Sequence, residues 1–206
     1  MNPSPSSRRI GAGLVFGMSS ALLLTGAGCL RSGTYVPTMY YTVDPVIEAP
    51  PASSCESTLG IRTLTSARPY NKTRMHYREE GLVIGEYEYD EWAELPTAFV
   101  TRALLDTLIS SNRYEDTGYA NDMPSPDFIL TGQLRQFVEL RTTNPWTAVC
   151  EVRIEVRDTH EGTVVWSGTP SASVPIHDEG PSAFAEAMSK AVGQVVKEAV
   201  ANIVSS

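Results

Sequence analysis

The chain is poor in the groups that most chemistry needs. Its 206 residues hold three histidines, His76, His160 and His177, and three cysteines, Cys29, Cys55 and Cys150. No two histidines stand at a metal-ligand spacing, and there is no Cys-x-x-Cys to lower a thiol pKa. A Gly-rich phosphate loop is absent, and so is any internal repeat. These absences argue against a metal cofactor, a redox pair and a nucleotide site, so the reading is a chain without catalytic residues. Positive charge is also scarce, at 16 Lys and Arg against 24 Asp and Glu. With no basic stripe to displace counterions from phosphates, nucleic acid is excluded as a partner.

What is present begins at the N-terminus. Arg8 and Arg9 are followed by a stretch from Ile10 to Leu30 without a charge, closing in Thr25-Gly26-Ala27-Gly28-Cys29. A positive end, an apolar middle and small residues before a Cys make a lipoprotein signal peptide over residues 1–28. Five glycines and two serines in the run make it a poor spanning helix. Cys29 becomes the lipidated N-terminus, the lipid-anchor residue. Leu30 follows it, not the Asp that favours inner-membrane retention, which points to the outer membrane, facing the periplasm. Loss of the leader leaves 178 residues with 14 basic and 24 acidic groups, a net charge of −10. That length suits one domain with a core of its own. Its acidity leaves the acyl chains as the main membrane contact. With Cys29 acylated, Cys55 and Cys150 remain in an oxidising compartment. An even remainder invites a Cys55–Cys150 disulfide, worth about 4 kcal/mol in the chain-entropy model; two separate thiols are the alternative.

Residues 29–54 read as a lipidated tether and extended segment, and residues 55–206 as a single α+β domain. Alternation predicts strands over 58–64, 73–77 and 82–89. A helix follows, with Pro96 in its first turn and Leu95, Phe99, Ala103 and Leu108 on one face; it stops by Asn112. Residues 114–126, rich in Asp, Asn, Gly and Pro, read as a loop. Phe128, Leu130, Leu134 and Val138 share one parity of the next strand. The plainest strand is 148–157, with Ala148, Cys150, Val152, Ile154 and Val156 inward. After the hairpin turn 158–162 one strand returns over 163–174. A last helix starts at Gly180-Pro181 and buries Phe184, Met188, Ala191, Val195, Ala199 and Ile203. The expected order is β-β-β-α-β-β-β-α, a mostly antiparallel sheet with both helices on one face.

Polar clusters are few. Asp158, His160 and Glu161 have metal-ligating side chains, but a polar hairpin turn accounts for them. Glu86, Glu88, Asp90, Glu91 and Glu94 form an acid run that reads as a solvated strand end and helix start.

The order of short motifs resembles the ABC-type transport auxiliary lipoproteins, the family of the paraquat-inducible lipoprotein that works with MCE (mammalian cell entry) proteins. The matching features are the lipidated Cys29, the Tyr-Tyr-x-Val-Asp-Pro element from Tyr40 to Pro45, and Trp92-Ala93-Glu94 before Pro96 and a Leu-rich helix. Phe137-Val138-Glu139, a late strand with Trp166 and a closing Ala- and Val-rich helix complete the set. The sequence departs where Leu95 separates Glu94 from Pro96 and where Glu91 replaces an Arg. The resemblance implies a non-enzymatic accessory of a lipid or solvent transport system between the two membranes. Its implied partners are an MCE-domain periplasmic protein, an ABC transporter permease and ATPase, the membrane through the lipid anchor, and further copies in a homo-oligomeric ring. Tyr40, Tyr41 and Trp92 are the candidate partner-binding residues. A different outer-membrane lipoprotein, an activator of cell-wall synthesis or an envelope assembly factor, is the alternative.

Overall fold

The computed structural model describes residues 35–205 except 81 and 143, and divides the chain into a unit up to Tyr35 and a compact body from Val36. The leader and Cys29 lie outside the described residues. The body is built on a long antiparallel hairpin. β7 (Phe128–Leu140) and β8 (Thr147–Asp158) pair from Phe128 opposite Asp158 to Leu140 opposite Thr147. The alternation of β8 drives this. Ala148, Cys150, Val152, Ile154 and Val156 are all within 1 % of complete burial, while Arg153 and Arg157 face solvent.

Three strands lie end to end along the free side of β7, all parallel to it. β2 (Cys55–Ile61) meets its start, β3 (Thr65–Ser66) its middle and β4 (Arg74–Arg78) its end. β6 (Tyr114–Tyr119) joins β2 in parallel, β5 (Ile84–Trp92) joins β4 antiparallel, and β1 (Met39–Tyr41) joins β5 in parallel. On the far side of β8 run β9 (Val164–Gly168) and β10 (Ser171–Pro175), both antiparallel. The ten strands form one mixed sheet.

Helix α1 (Pro96–Ser111) opens with Pro96 in its first turn, where a missing N–H costs nothing, and ends at Asn112 in the left-handed conformation. Thr101 and Thr107 are buried on it, and each hydroxyl donates to the carbonyl four residues back. The Thr101 hydroxyl also accepts the Leu64 backbone N–H at 3.1 Å, tying the helix to the β2–β3 connection. Helix α2 (Pro181–Ser205) buries the stripe from Phe184 to Ile203 that its spacing predicts. Trp92 joins the layers: its ring meets Phe99 of α1, Phe184 of α2 and Phe137 of β7 edge-on at 5.2–6.2 Å.

The α+β class and the two helices match the sequence reading; the strand order and the antiparallel sheet do not. Five strands precede α1 and five separate it from α2. Two of the additions, β1 and β3, are three and two residues long, too short to carry a period. The stretch read as a loop holds β6, a polar edge strand that owes its place to backbone pairing with β2. The single returning strand is two, because Thr169-Pro170 interrupts it and proline cannot donate to a ladder. Parallel pairing arises because β2, β3 and β4 run the same way as β7, with β5, α1 and β6 between them in the chain.

The expected Cys55–Cys150 bond is not formed; both thiols are free. Cys55 lines a small cavity with Val156 and Trp166. Cys150 sits six residues away from Val156 on the same strand, about 20 Å along it. Bridged residues need Cα atoms within about 7 Å. Both cysteines lie in strands of the same sheet, so no loop movement can bring them together.

Candidate functional site

The Tyr40–Pro45 element lies at the edge of the sheet and then crosses onto the helices. Met39, Tyr40 and Tyr41 pair with Asp90, Glu91 and Trp92 of β5. The Tyr41 hydroxyl donates to Asp90 Oδ1 at 3.1 Å. Burial, then the hydrogen bond to Asp90 and its charge, raises the Tyr41 pKa, so the phenol stays protonated. Val43 is buried, and the Asp44 backbone N–H donates to Ser189 Oγ of α2 at 3.2 Å. The chain then passes over Gly193 of α2, where an added Cβ would meet Pro45 at 3.6 Å and Ile47 at 3.8 Å. A groove of about 710 Å³ runs along this crossing, between Asp44–Glu48 and the Glu186, Lys190 and Lys197 side of α2.

The three candidate contact residues separate here. Tyr40 is 67 % exposed and offers an open ring at the sheet edge, whereas Tyr41 is half-buried against Asp90. Trp92, at 1 % exposed, is a core residue and has no surface to give a partner. Its period alone does not reveal this, since β5 alternates weakly.

The acid run is spent on local pairs. Glu86 meets His76, Glu91 meets Arg74 and Thr73, and Glu94 meets Arg102. His76 is buried, and burial holds its pKa below the usual value against the opposing pull of Glu86. At the 158–162 turn, Asp158 Oδ1 accepts the backbone N–H groups of His160 and Glu161, which makes it a turn cap. Among the described residues no group of His, Cys, Asp and Glu gathers as metal ligands.

Sequence reasoning missed one cluster. Glu139 is fully buried, and its Oε2 accepts both the Tyr87 hydroxyl and Arg141 Nε at 2.8 Å. Its Oε1 has no partner. The Arg141 guanidinium lies 3.7 Å from the Tyr77 ring centroid and 4.7 Å from that of Trp146. Gly85 makes room for this stack, since a Cβ there would meet the Tyr77 ring at 2.3 Å. Burial first, and then the Glu139 charge, raises the Tyr87 pKa far above its ordinary value. The arrangement fixes β4, β5 and β7 at one end of the sheet.

A family model for the ABC-type transport auxiliary lipoprotein component matches residues 41–200. The chain belongs to that family. The match spans the whole sheet-and-helix body from the end of β1 to most of α2, so the resemblance read from short motifs holds over the domain. The fold of this family member is shared with protein XCC0632 from Xanthomonas campestris at 19 % identity and TM-score 0.73, covering 81 % of this chain and 95 % of that one. It is similar also to an uncharacterized protein at 12 % identity and TM-score 0.62, covering 82 % and 98 %. A third likeness is hypothetical protein CT253 from Chlamydia trachomatis, at 12 % identity and TM-score 0.51, covering 72 % and 96 %. No curated protein sequence matches the chain. In this family member the quoted motifs have structural reasons. Tyr41 ties the edge strand to β5, Trp92 joins sheet to both helices, Pro96 starts α1, and Phe137 and Glu139 stand side by side on the inner face.

Proposed function

We propose that this auxiliary lipoprotein is a non-enzymatic, membrane-anchored component of an MCE-type lipid or solvent transport system. Cys29 carries the acyl chains and holds the body on the periplasmic face of the outer membrane. The body then engages the MCE-domain protein that works with an ABC permease and ATPase. The observation that carries this reading is the family match across residues 41–200. The charge-free run from Ile10 that closes at Cys29 supports the anchor. Support for a ring of copies comes from the sheet, whose path ends in the edge strands β1 and β6, edges that can pair with another chain. Exposed Tyr40 lies on one of them.

The test is affinity purification of the full-length protein from its own membranes beside a Cys29→Ala variant, with co-purifying proteins identified by mass spectrometry. An MCE-domain protein and its permease should accompany the wild type, and the variant should lose the membrane fraction. Recovery of cell-wall synthases in their place would sink the transport reading.

A further inference from the structure

The turn between β4 and β5 ends in Leu82-Val83-Ile84. Leu82 is 99 % exposed, Val83 68 % and Ile84 37 %. Leu82 and Val83 are the barest adjacent apolar pair among the described residues. Neither belongs to the hydrophobic core. An apolar tip in full contact with water calls for an occupant that covers it.

Topology shows where this tip points. β1 is parallel to β5, with Met39 opposite Asp90 and Tyr41 opposite Trp92. The chain before Met39 therefore comes from the Ile84 end of β5, the end that carries the bare tip. Cys29 precedes Val36 by seven residues, a reach of about 24 Å when extended. Met39, opposite Asp90, stands eight residues of chain from Leu82, about 26 Å, and follows Cys29 by ten residues, about 34 Å when extended. The tether is thus long enough to bring a membrane-inserted Cys29 to the level of the tip. The end of β7, the start of β8 and the start of α2 lie at this same end of the sheet, and Trp146, 37 % exposed, stands there beside Arg141.

We infer that the Leu82–Ile84 tip is a second membrane contact, which enters the interfacial layer of the bilayer that holds the acyl group and orients the body on it. The inference rests on the anchor in the proposed function. Its ligand is a zwitterionic lipid surface. Glu80 beside the tip and Asp178 and Glu179 in the hollow by Trp146 repel anionic headgroups, while Glu79 is paired with Arg141 at 3.4 Å. A tip this small reaches only the headgroup and upper acyl region, the depth of interfacial helices, about 5–10 Å. With the anchor and the tip both engaged, rotation about the tether is restricted, and the opposite end of the sheet, with the 158–162 turn, faces away from the membrane.

The experiment uses the full-length protein in a Cys55→Ser background, reconstituted into phosphatidylcholine vesicles. Val83→Cys, and separately His160→Cys as the far-end control, carries an environment-sensitive fluorophore. Lipids with a nitroxide high on the acyl chain serve as quenchers, and mass spectrometry of the N-terminal peptide reports acylation at Cys29. The expected result is a blue-shifted emission at position 83 that loses most of its intensity to the nitroxide lipids, with the label at 160 unaffected. Equal, weak quenching at both positions overturns the tip contact while leaving the anchor standing. A blue shift at 83 without quenching also overturns it, since the tip would then be covered by protein. An unacylated Cys29 overturns the anchor, and the second contact that rests on it falls with it.

Discussion

The buried Glu139–Arg141 pair gives the sharpest stability prediction. The Glu139 side chain is fully buried and that of Arg141 is 17 % exposed. In Arg141→Ala the carboxylate loses its counter-charge and keeps only the Tyr87 hydroxyl as a partner. Breaking a buried pair from one side costs about 3–5 kcal/mol, because the remaining charge stays desolvated. Loss of the guanidinium from the Tyr77 and Trp146 rings adds about 1 kcal/mol. At a urea slope of about 2–3 kcal/mol per molar for a body of this size, the midpoint should fall by about 1–3 M. Glu139→Gln keeps an acceptor for Tyr87 and should cost less, about 1–2 kcal/mol. The double change Glu139→Met with Arg141→Met removes both charges and should be milder than Arg141→Ala, since an apolar pair of similar volume replaces a buried ion pair at little cost. The assay is urea unfolding followed by tryptophan fluorescence at pH 7. An Arg141→Ala loss below about 1 kcal/mol, or a double variant as weak as the single, would refute the assignment of a buried charged pair.

Three further outcomes follow from other sites. In Gly132→Ala the new Cβ lies 2.6 Å from the Arg153 carbonyl oxygen and 2.7 Å from Leu64 Cδ2; β7 and β8 must part there, and thermal unfolding should show a loss of about 1–3 kcal/mol. His76 is held neutral by burial, so its folded pKa lies below the unfolded value of about 6.5. The unfolded chain then binds the extra proton, so His76 contributes stability that is complete above pH 6.5 and declines as pH falls below it; a His76→Phe variant should show a flatter stability profile between pH 7 and 5. Thiol titration of the native body should modify Cys55, partly exposed, and spare Cys150, whose thiol burial pushes far above its usual range. Both should react in denaturant without reductant, and a reductant requirement would restore the disulfide.

Legibility in the sequence followed the number of residues that repeat one signal. β8 and α2 each carry at least five apolar positions at a constant period, and both lie where the period puts them, as does α1 with its proline start and Asn112 stop. The edge strands lack that redundancy. β6 reads Tyr-Glu-Asp-Thr-Gly-Tyr, and its strand character comes from hydrogen bonds to β2, a partner about 58 residues earlier that composition does not reveal. The tip at Leu82–Ile84 looks like the start of a strand in sequence, and only its exposure separates it from core.

The Glu139 cluster was hidden by one extra residue. Counting by twos from Leu130 and Leu134 points Val138 inward and Glu139 to solvent. In the structure Leu134 pairs with Val152, but Gln136 already pairs with Glu151, so Arg135 is bulged out of the ladder. Past the bulge every side chain changes face: Phe137 reaches Trp92 in the core, and Glu139 goes inward beside it. A period-2 pattern carries no mark of such an insertion. Once turned inward the carboxylate has to find donors, and Tyr87 and Arg141 supply them from β5 and the end of β7. The same shift that buries a charge thus places Arg141 over Tyr77 and Trp146, and so fixes the end of the sheet from which the Leu82–Ile84 tip projects. On this reasoning, moving the bulge by deleting Arg135 should expose Glu139 and loosen that end, seen as a rise in hydrogen exchange across residues 76–87 and 139–147 with β9 protected as before.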